Sequence, residues 1–305
     1  MAKGKVTLRD IADVCGVSTA TVSYVLNHSE KEKISHETRL KIVKAAADLH
    51  YTPSLFTKKL AKRKSNLVGI IINLNENGNS AGKKMMYYDL AAELSSRIRS
   101  IDFETLTITT ADLLKDAKVI TSHCLDAVFM IDVDGETARK ITHDYYVPII
   151  FLNCEINDPL FCKIYPNYQA VFRKARAILQ TDTPFLLMED ICNCELRCRI
   201  TASFQTKDIF IHTPGSNLQA FLEAHRGRKG IVLGDLLGLQ ALYLFGKENL
   251  AVLSSLEDTP LPKEANILHI PNIRRAEAAA EVLKNMLYLD YTPSEGNRIF
   301  LDCEP

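Results

Sequence analysis

The sequence has 305 residues, 47% of them apolar, enough for two or three compact units with sizeable cores. Its net charge is zero, yet residues 1–66 hold 13 Lys/Arg against 6 Asp/Glu, while residues 67–305 hold 24 against 31. No apolar run reaches the roughly 20 residues of a bilayer span, and the M-A-K-G-K start is too polar for a signal peptide. The expectation is a cytoplasmic protein whose eight cysteines are thiols. A basic head on an acidic body is the footprint of a nucleic-acid binder with a separate second domain. The alternative is two domains that differ only in their solvated surfaces.

In chain order, Thr7 is a good N-cap, with Asp10 three residues on as a capping-box partner. Leu8, Ile11, Ala12 and Cys15 make one apolar stripe at helical spacing, and Gly16 ends that helix. Ser18 caps a second helix over 18–26, whose inner face is Val22, Val25 and Leu26. Thr19, Ala20, Ser23 and Tyr24 form its outer face, followed by Asn27. Short polar groups and one phenol suit base edges and phosphates, so the pair reads as a helix-turn-helix with 18–26 as recognition helix. A helical hairpin that touches nothing is the plainer alternative.

Lys31 and Lys33 in the following loop are available to phosphates. Ser35 then caps a third helix over 37–50, with Leu40, Ile42, Val43, Ala46 and Leu49 on its apolar face. Pro53 stops it. In the next stretch, S-L-F-T-K-K-L-A-K-R-K-S, five of twelve residues are Lys or Arg. It reads either as a charged linker or as a short helix from Ser54, too short to persist in water unaided but able to fold against DNA and a partner chain.

V-T-L-R-D-I-A, then G-V-S-T-A-T-V-S-Y-V-L-N, then Y-T-P-S-L-F-T-K-K-L-A, in that order and spacing, closely resemble the head and hinge of the lactose-repressor/galactose-repressor (LacI/GalR) family. The resemblance implies base contacts from Thr19, Ala20 and Tyr24, and phosphate contacts from Thr7, Ser18, Thr21, Ser23 and Asn27. It also implies paired hinge helices built on Ser54, Leu60 and Ala61, with Leu60 entering the minor groove as an apolar wedge that bends the duplex. The implied division is a head over 1–52, a hinge over 53–65 and a body over 66–305. Within the body, an N-subdomain would take 66–163 and 272–291, and a C-subdomain 164–271 and 292–305.

From Leu67 the texture changes to L-V-G-I-I-I-N-L, a strand buried on both faces of a parallel sheet. Helices are expected over 87–101, 113–121, 136–144, 169–179, 218–224, 236–245 and 273–289. Strands are expected over 103–109, 125–131, 148–152, 184–188, 209–212, 230–233, 250–253 and 298–301. Alternating strand and helix make an α/β body. The resemblance implies the periplasmic-binding-protein-like form of it, two doubly wound parallel-sheet subdomains with a ligand cleft at the strands' carboxyl ends.

The body departs from the family's pattern. The loop after the first strand, N-E-N-G-N-S-A-G-K-K, lacks the usual aspartate and S-N-P-F-F-like start. The sugar-gripping arginine has no clear counterpart, although Arg197 and Arg199 are nearby, and Gly234 stands where an asparagine is usual. Asn153, Asp235 and Glu257 (or Asp258) remain as effector contacts, a thin set in which each residue serves equally as a turn or cap. The body is also shorter than usual.

Cys192, Cys194 and Cys198 form C-x-C-x3-C, which lacks common zinc spacing and reads as ordinary thiols; no metal is expected. The H-R-G-R-K-G stretch lacks Walker spacing, and no G-x-S-x-G or H-E-x-x-H occurs, so neither enzymatic activity nor a cofactor is expected. Together the residues and the resemblance predict a DNA-binding transcription regulator. It would be a repressor acting as a homodimer on a palindromic operator, modulated by a sugar or sugar-phosphate effector, or else with a degenerate effector site and control by a partner protein or by expression level.

Overall fold

A computed structural model describes residues 6–26, 34–49, 51, 65–74, 80–116, 125–142, 147–287 and 297–303. The head is three helices: α1 (Leu8–Cys15), α2 (Thr19–Leu26) and α3 (His36–Asp48). Thr7 and Asp10 close the reciprocal capping box at the start of α1. Gly16, at φ 65°, ends that helix in the left-handed region, which glycine enters without steric cost. Ile11, Ala12, Cys15, Val22, Val25, Leu26, Ile42 and Ala45 make the core of the head. Ala45 takes the place expected for Leu40, because the buried face of α3 runs through Ile42, Ala45 and Leu49.

The body contains β1 (Leu67–Asn73), α4 (Ala81–Arg99), β2 (Glu104–Thr110), β3 (Ala127–Ile131), α5 (Gly135–Thr142), β4 (Ile149–Leu152) and β5 (Cys162–Pro166). There follow α6 (Tyr168–Leu179), β6 (Phe185–Glu189), α7 (Cys194–Thr201), β7 (Ile209–His212), α8 (Leu218–Ala224), β8 (Gly230–Leu233) and α9 (Asp235–Phe245). The chain ends through β9 (Leu250–Ser254), β10 (Asn266–His269), α10 (Asn272–Leu287) and β11 (Arg298–Leu301). One six-stranded sheet runs β11-β5-β4-β3-β1-β2 and one five-stranded sheet β10-β9-β8-β6-β7. Every pairing in both is parallel. Both sheets are covered by helices, so their central strands are buried throughout, as in β3, β4, β8 and β9.

Several expectations need correction. Strand β11 pairs with β5 in the first sheet, so the chain's end does not join the second sheet with 164–271. The first passage between the sheets falls after β5, at Pro166–Asn167, and not inside that strand at 163/164. Strands β5 and β10 and helix α7 were not expected, and α4 starts six residues before Tyr87, capped by Ser80. The expected helices over 113–121 and 136–144 run partly outside the described residues. Among the described residues, no helix is long and apolar enough to cross a membrane.

Candidate functional site

Two places in the molecule gather chemistry: the outer face of α2 and the cleft between the sheets. On α2, Ser18 Oγ accepts from the Thr21 backbone N–H at 3.0 Å and lies 2.8 Å from Thr21 Oγ1. Capping satisfies one of the backbone N–H groups at this helix end, and a helix N-terminus favours an anion nearby. Ser18, Thr19 and Ala20 are exposed, and Thr21, Ser23 and Tyr24 are half-buried. Five of these residues share α2 and Ser18 caps it, while Val22, Val25 and Leu26 hold it to the head. Thr7 is exposed at the start of α1, its hydroxyl donating to Asp10 Oδ2 at 2.7 Å. Asn27, Ser54, Leu60 and Ala61, along with Lys31 and Lys33, lie outside the described residues.

The cleft lies at the carboxyl ends of the strands of both sheets, and the chain's own side chains fill it. Asp132, directly after β3, and Asn153, directly after β4, both take left-handed backbone, at φ 55° and 51°. Non-glycine residues seldom enter that region, though Asp and Asn do so most readily. Asp132 is fully buried and forms an ion pair with the equally buried Lys83 of α4 at 2.8 Å. Lys83 Nζ also donates to Cys192 Sγ, from the loop after β6, at 3.4 Å. Burial alone would pull the Lys83 ammonium down, but the Asp132 carboxylate and the Cys192 sulfur hold it above its ordinary pKa. Burial also pushes the Asp132 carboxyl up, against the pull of Lys83.

Asn193 pins the two sheets together. Its Nδ2 donates to Val133 O at 2.7 Å and Glu155 O at 3.1 Å, and its Oδ1 accepts from Glu155 N at 2.9 Å. Its backbone N–H donates to Asp132 Oδ1 at 3.1 Å, and its Oδ1 also caps α7 through Leu196 N at 2.8 Å. A second tie joins Ser80 Oγ to Glu189 Oε2 at 2.6 Å, and His212 Nδ1 lies 3.1 Å from the same oxygen. Glycine at position 82 allows this approach, because a Cβ there would collide with the Glu189 carboxylate.

Glu155 is the hub at the rim. Arg298 grips it with two nitrogens at 2.8–3.0 Å, Arg199 of α7 lies at 3.2 Å, and the Tyr165 hydroxyl donates to it. Burial alone would raise the Glu155 carboxyl, but Arg298, Tyr165 and Arg199 hold it below its ordinary value. A carboxyl depressed on folding contributes stability that is present above its unfolded pKa and is lost as the pH falls through the folded one. Stability to urea is therefore expected to fall below about pH 4. Arg298→Met should remove this contribution, so that a difference between the two proteins at neutral pH vanishes in acid.

Between the two sheets lies a cavity of about 40 Å³, lined by Tyr87, Asn153, Tyr168, Glu189, Ser255 and Arg275 among others. Of the three expected effector residues, only Asn153 reaches it. Asp235 is spent on the chain: it accepts from Ser254 Oγ (2.5 Å), Ser255 N (2.9 Å), Ser255 Oγ (3.0 Å) and Thr259 Oγ1 (2.9 Å). Glu257 is exposed and does not line the cavity, and the same holds for Asp258. Arg197 pairs with Asp190 at 2.9 Å outside it. The structure thus does not bring the three residues together. Cys194 and Cys198 are exposed on α7, and among the described residues no cluster of His, Cys, Asp or Glu is arranged to hold a metal ion.

Sequence reasoning missed Lys83, Asp132, Glu189, Asn193 and Arg275. A signal existed for two of them. Lys83 lies four residues before Tyr87 and seven before Leu90, and Arg275 four before Ala279 and seven before Val282, each on the inward face of its helix.

Comparison with known proteins adds the following. Residues 7–54 match the family described as "Bacterial regulatory proteins, lacI family". The chain is 31% identical over 165 residues to the "Probable HTH-type transcriptional repressor ExuR" of Bacillus subtilis (strain 168), a match covering 53% of this chain and 47% of that protein. It is 38% identical over 73 residues to the "Sucrose operon repressor" of Klebsiella pneumoniae, covering 24% and 22%. The chain thus spans about half or less of the length of the curated relatives it matches. In fold it is similar to the lac repressor bound to ONPG (TM-score 0.58, 16% identity, 98% of each chain). It is likewise similar to the regulator CelR in complex with cellobiose (TM-score 0.56, 15% identity, 98% of each chain).

Proposed function

We propose that this chain, whose residues 7–54 match the lacI family of bacterial regulatory proteins, is a sequence-specific DNA-binding transcription regulator, a repressor acting in the cytoplasm. The observation that carries the proposal is α2. It is a capped helix held to its domain by Val22, Val25 and Leu26, with Ser18, Thr19 and Ala20 exposed and Tyr24 beside them, inside the matched segment 7–54. Thr19, Ala20 and Tyr24 are the proposed base contacts, and Thr7, Ser18, Thr21, Ser23 and Asn27 the proposed phosphate contacts. Because Thr19 and Ala20 are small, Tyr24 and DNA shape carry much of the readout. Ser54, Leu60 and Ala61 are proposed to form the minor-groove hinge, with two protomers on a palindromic site. The apolar face that α9 leaves exposed, with Tyr243 at 90% and Leu244 at 46%, supports association of two copies.

Selection of bound sequences from a random DNA pool tests this reading. A palindromic consensus is expected. Recovery of no consensus, with retention only at low salt, would leave the head as a non-specific basic domain.

The cleft is proposed to sense a small molecule. A cavity of about 40 Å³ holds little more than one water, against the roughly 300–1,000 Å³ of ligand sites. This favours, as a second reading, a regulator whose effector site is degenerate and which answers to a protein partner or to its own level. The two readings differ in whether the lobes part to admit a ligand.

A further inference from the structure

Arg275 sits in the first turn of α10 with 2% of its surface exposed, and it lines the cleft cavity. Among the described residues its guanidinium donates one hydrogen bond, from Nη1 to Asn153 Oδ1 at a long 3.4 Å, and its Nε has no partner. The carboxylates around the cleft hold other groups: Asp132 holds Lys83, Glu155 holds Arg298, Glu189 holds Ser80 and His212, and Asp235 and Asp89, whose charges act on Arg275 without touching it, are hydrogen-bonded to Ser254, Ser255 and Thr259 and to Asn272. A buried cation without an anion is costly, and structural networks pair such groups. Lys83 and Arg298 each hold a carboxylate directly, whereas Arg275 makes no ion pair among the described residues.

We propose that Arg275 is the anchor for a small organic carboxylate that enters the cleft, and that Glu189 accepts a hydrogen bond from a hydroxyl or ammonium group of the same ligand. The guanidinium fork matches a carboxylate with two parallel N–H donors, which neither a hydroxyl nor an amide can accept as well. Burial already pulls the Arg275 guanidinium below its ordinary pKa, so an incoming anion meets a desolvated, unsatisfied partner. Glu189 lines the same cavity, as do Tyr87 and Tyr168. The present cavity is too small for such a ligand, so binding selects a pose with the lobes further apart than here. In that pose the ties made by Asn193 and Ser80 are loosened. A ligand shifts the balance between poses only by its differential affinity for them, and Arg275 supplies that difference: it lacks an anion in the closed pose and gains one in the open pose.

The proposal rests on the reading of the cleft as an effector site. It is tested by calorimetry on the full-length chain without DNA. One arm uses hydroxy acids (D-glucuronate, D-gluconate, L-lactate), each set against D-glucose. The other uses amino acids (L-serine, L-glutamate) against L-serinamide. At least one acid is expected to bind about tenfold or more tightly than the compound set against it, which lacks the carboxylate, and the arm that binds identifies the donor as hydroxyl or ammonium. Arg275→Lys should weaken that binding about tenfold, because it keeps the charge and loses the fork. Arg275→Met should abolish it while leaving the melting temperature unchanged or raised. Failure of every acid to bind, or equal binding of acid and the compound set against it, overturns the proposal. So does a fall of more than roughly 5 °C in the melting temperature of Arg275→Met, which marks a structural clamp. If the acids fail while a DNA consensus is recovered, this inference alone falls. If an acid binds while no consensus is recovered, the DNA-binding reading falls instead.

Discussion

Asp132→Ala is expected to destabilise the body by about 3–5 kcal/mol, the range for removing one partner of a buried ion pair. The substitution leaves the Lys83 ammonium fully buried, with the Cys192 sulfur at 3.4 Å as its remaining hydrogen-bond acceptor among the described residues. It also takes away the acceptor of the Asn193 backbone N–H, which ties the second sheet to the first. Two costs therefore fall together: an uncompensated charge and a lost tie across the cleft. The double variant Lys83→Met with Asp132→Leu is expected to recover most of the loss, since apolar groups of similar volume can replace a buried pair at little cost. Urea unfolding of the three variants measures this. A loss below about 1 kcal/mol for Asp132→Ala would mean that water reaches Lys83 and that the cleft is open in solution.

Tyr24→Ala is expected to weaken binding to the selected DNA sequence by about 1–3 kcal/mol, roughly a factor of 5 to 150. Binding to random DNA, and its dependence on salt, should stay nearly unchanged, because the phenol carries no charge that would release counterions. Tyr24 is half-buried on the outer side of α2 and outside the core of Ile11, Val22, Val25 and Ile42. The head should accordingly keep its fold, which far-ultraviolet circular dichroism checks. An equal loss on specific and random DNA would move Tyr24 from base reading to general support of the helix.

The head was legible because its signals are local. Thr7, Asp10, Gly16, Ser18 and Ser35 each act within four residues of themselves, and the structure shows all five in the roles their chemistry suggests. The α/β alternation of the body was legible for the same reason, since runs such as L-V-G-I-I-I have few alternatives to a buried parallel strand. Strand β5 was hidden because C-K-I-Y-P carries a lysine and a proline. Lys163 is nevertheless buried, with its Nζ donating to Asp158 O at 2.7 Å and its pKa pulled down to about 8 by burial and by Arg298. Helix α7 was hidden because only Leu196 and Ile200 mark its buried face. The placement of β11 could not be read locally at all, because sheet membership depends on partners more than a hundred residues away.

The cleft misled for a different reason. Asp235 and Asn153 were sought by likeness to a pattern of ligand contacts. Asp235 instead spends its acceptors on Ser254, Ser255 and Thr259, and the cations of the cleft, Lys83 and Arg275, come from helix positions that look like solvated surface in sequence. Lys83 and Arg275 lie in K-K and R-R pairs, where one member faces water and the other turns inward. Helical phase against Tyr87 and Ala279 separates the two members, and composition cannot.

A sequence-reading head shows itself when the full-length chain is titrated into its selected DNA site and into a scrambled site at the same salt. A preference for the selected site of about a thousandfold or more is expected, with two chains per site. Equal affinity for both sequences, or one chain per site without any preference, would contradict it.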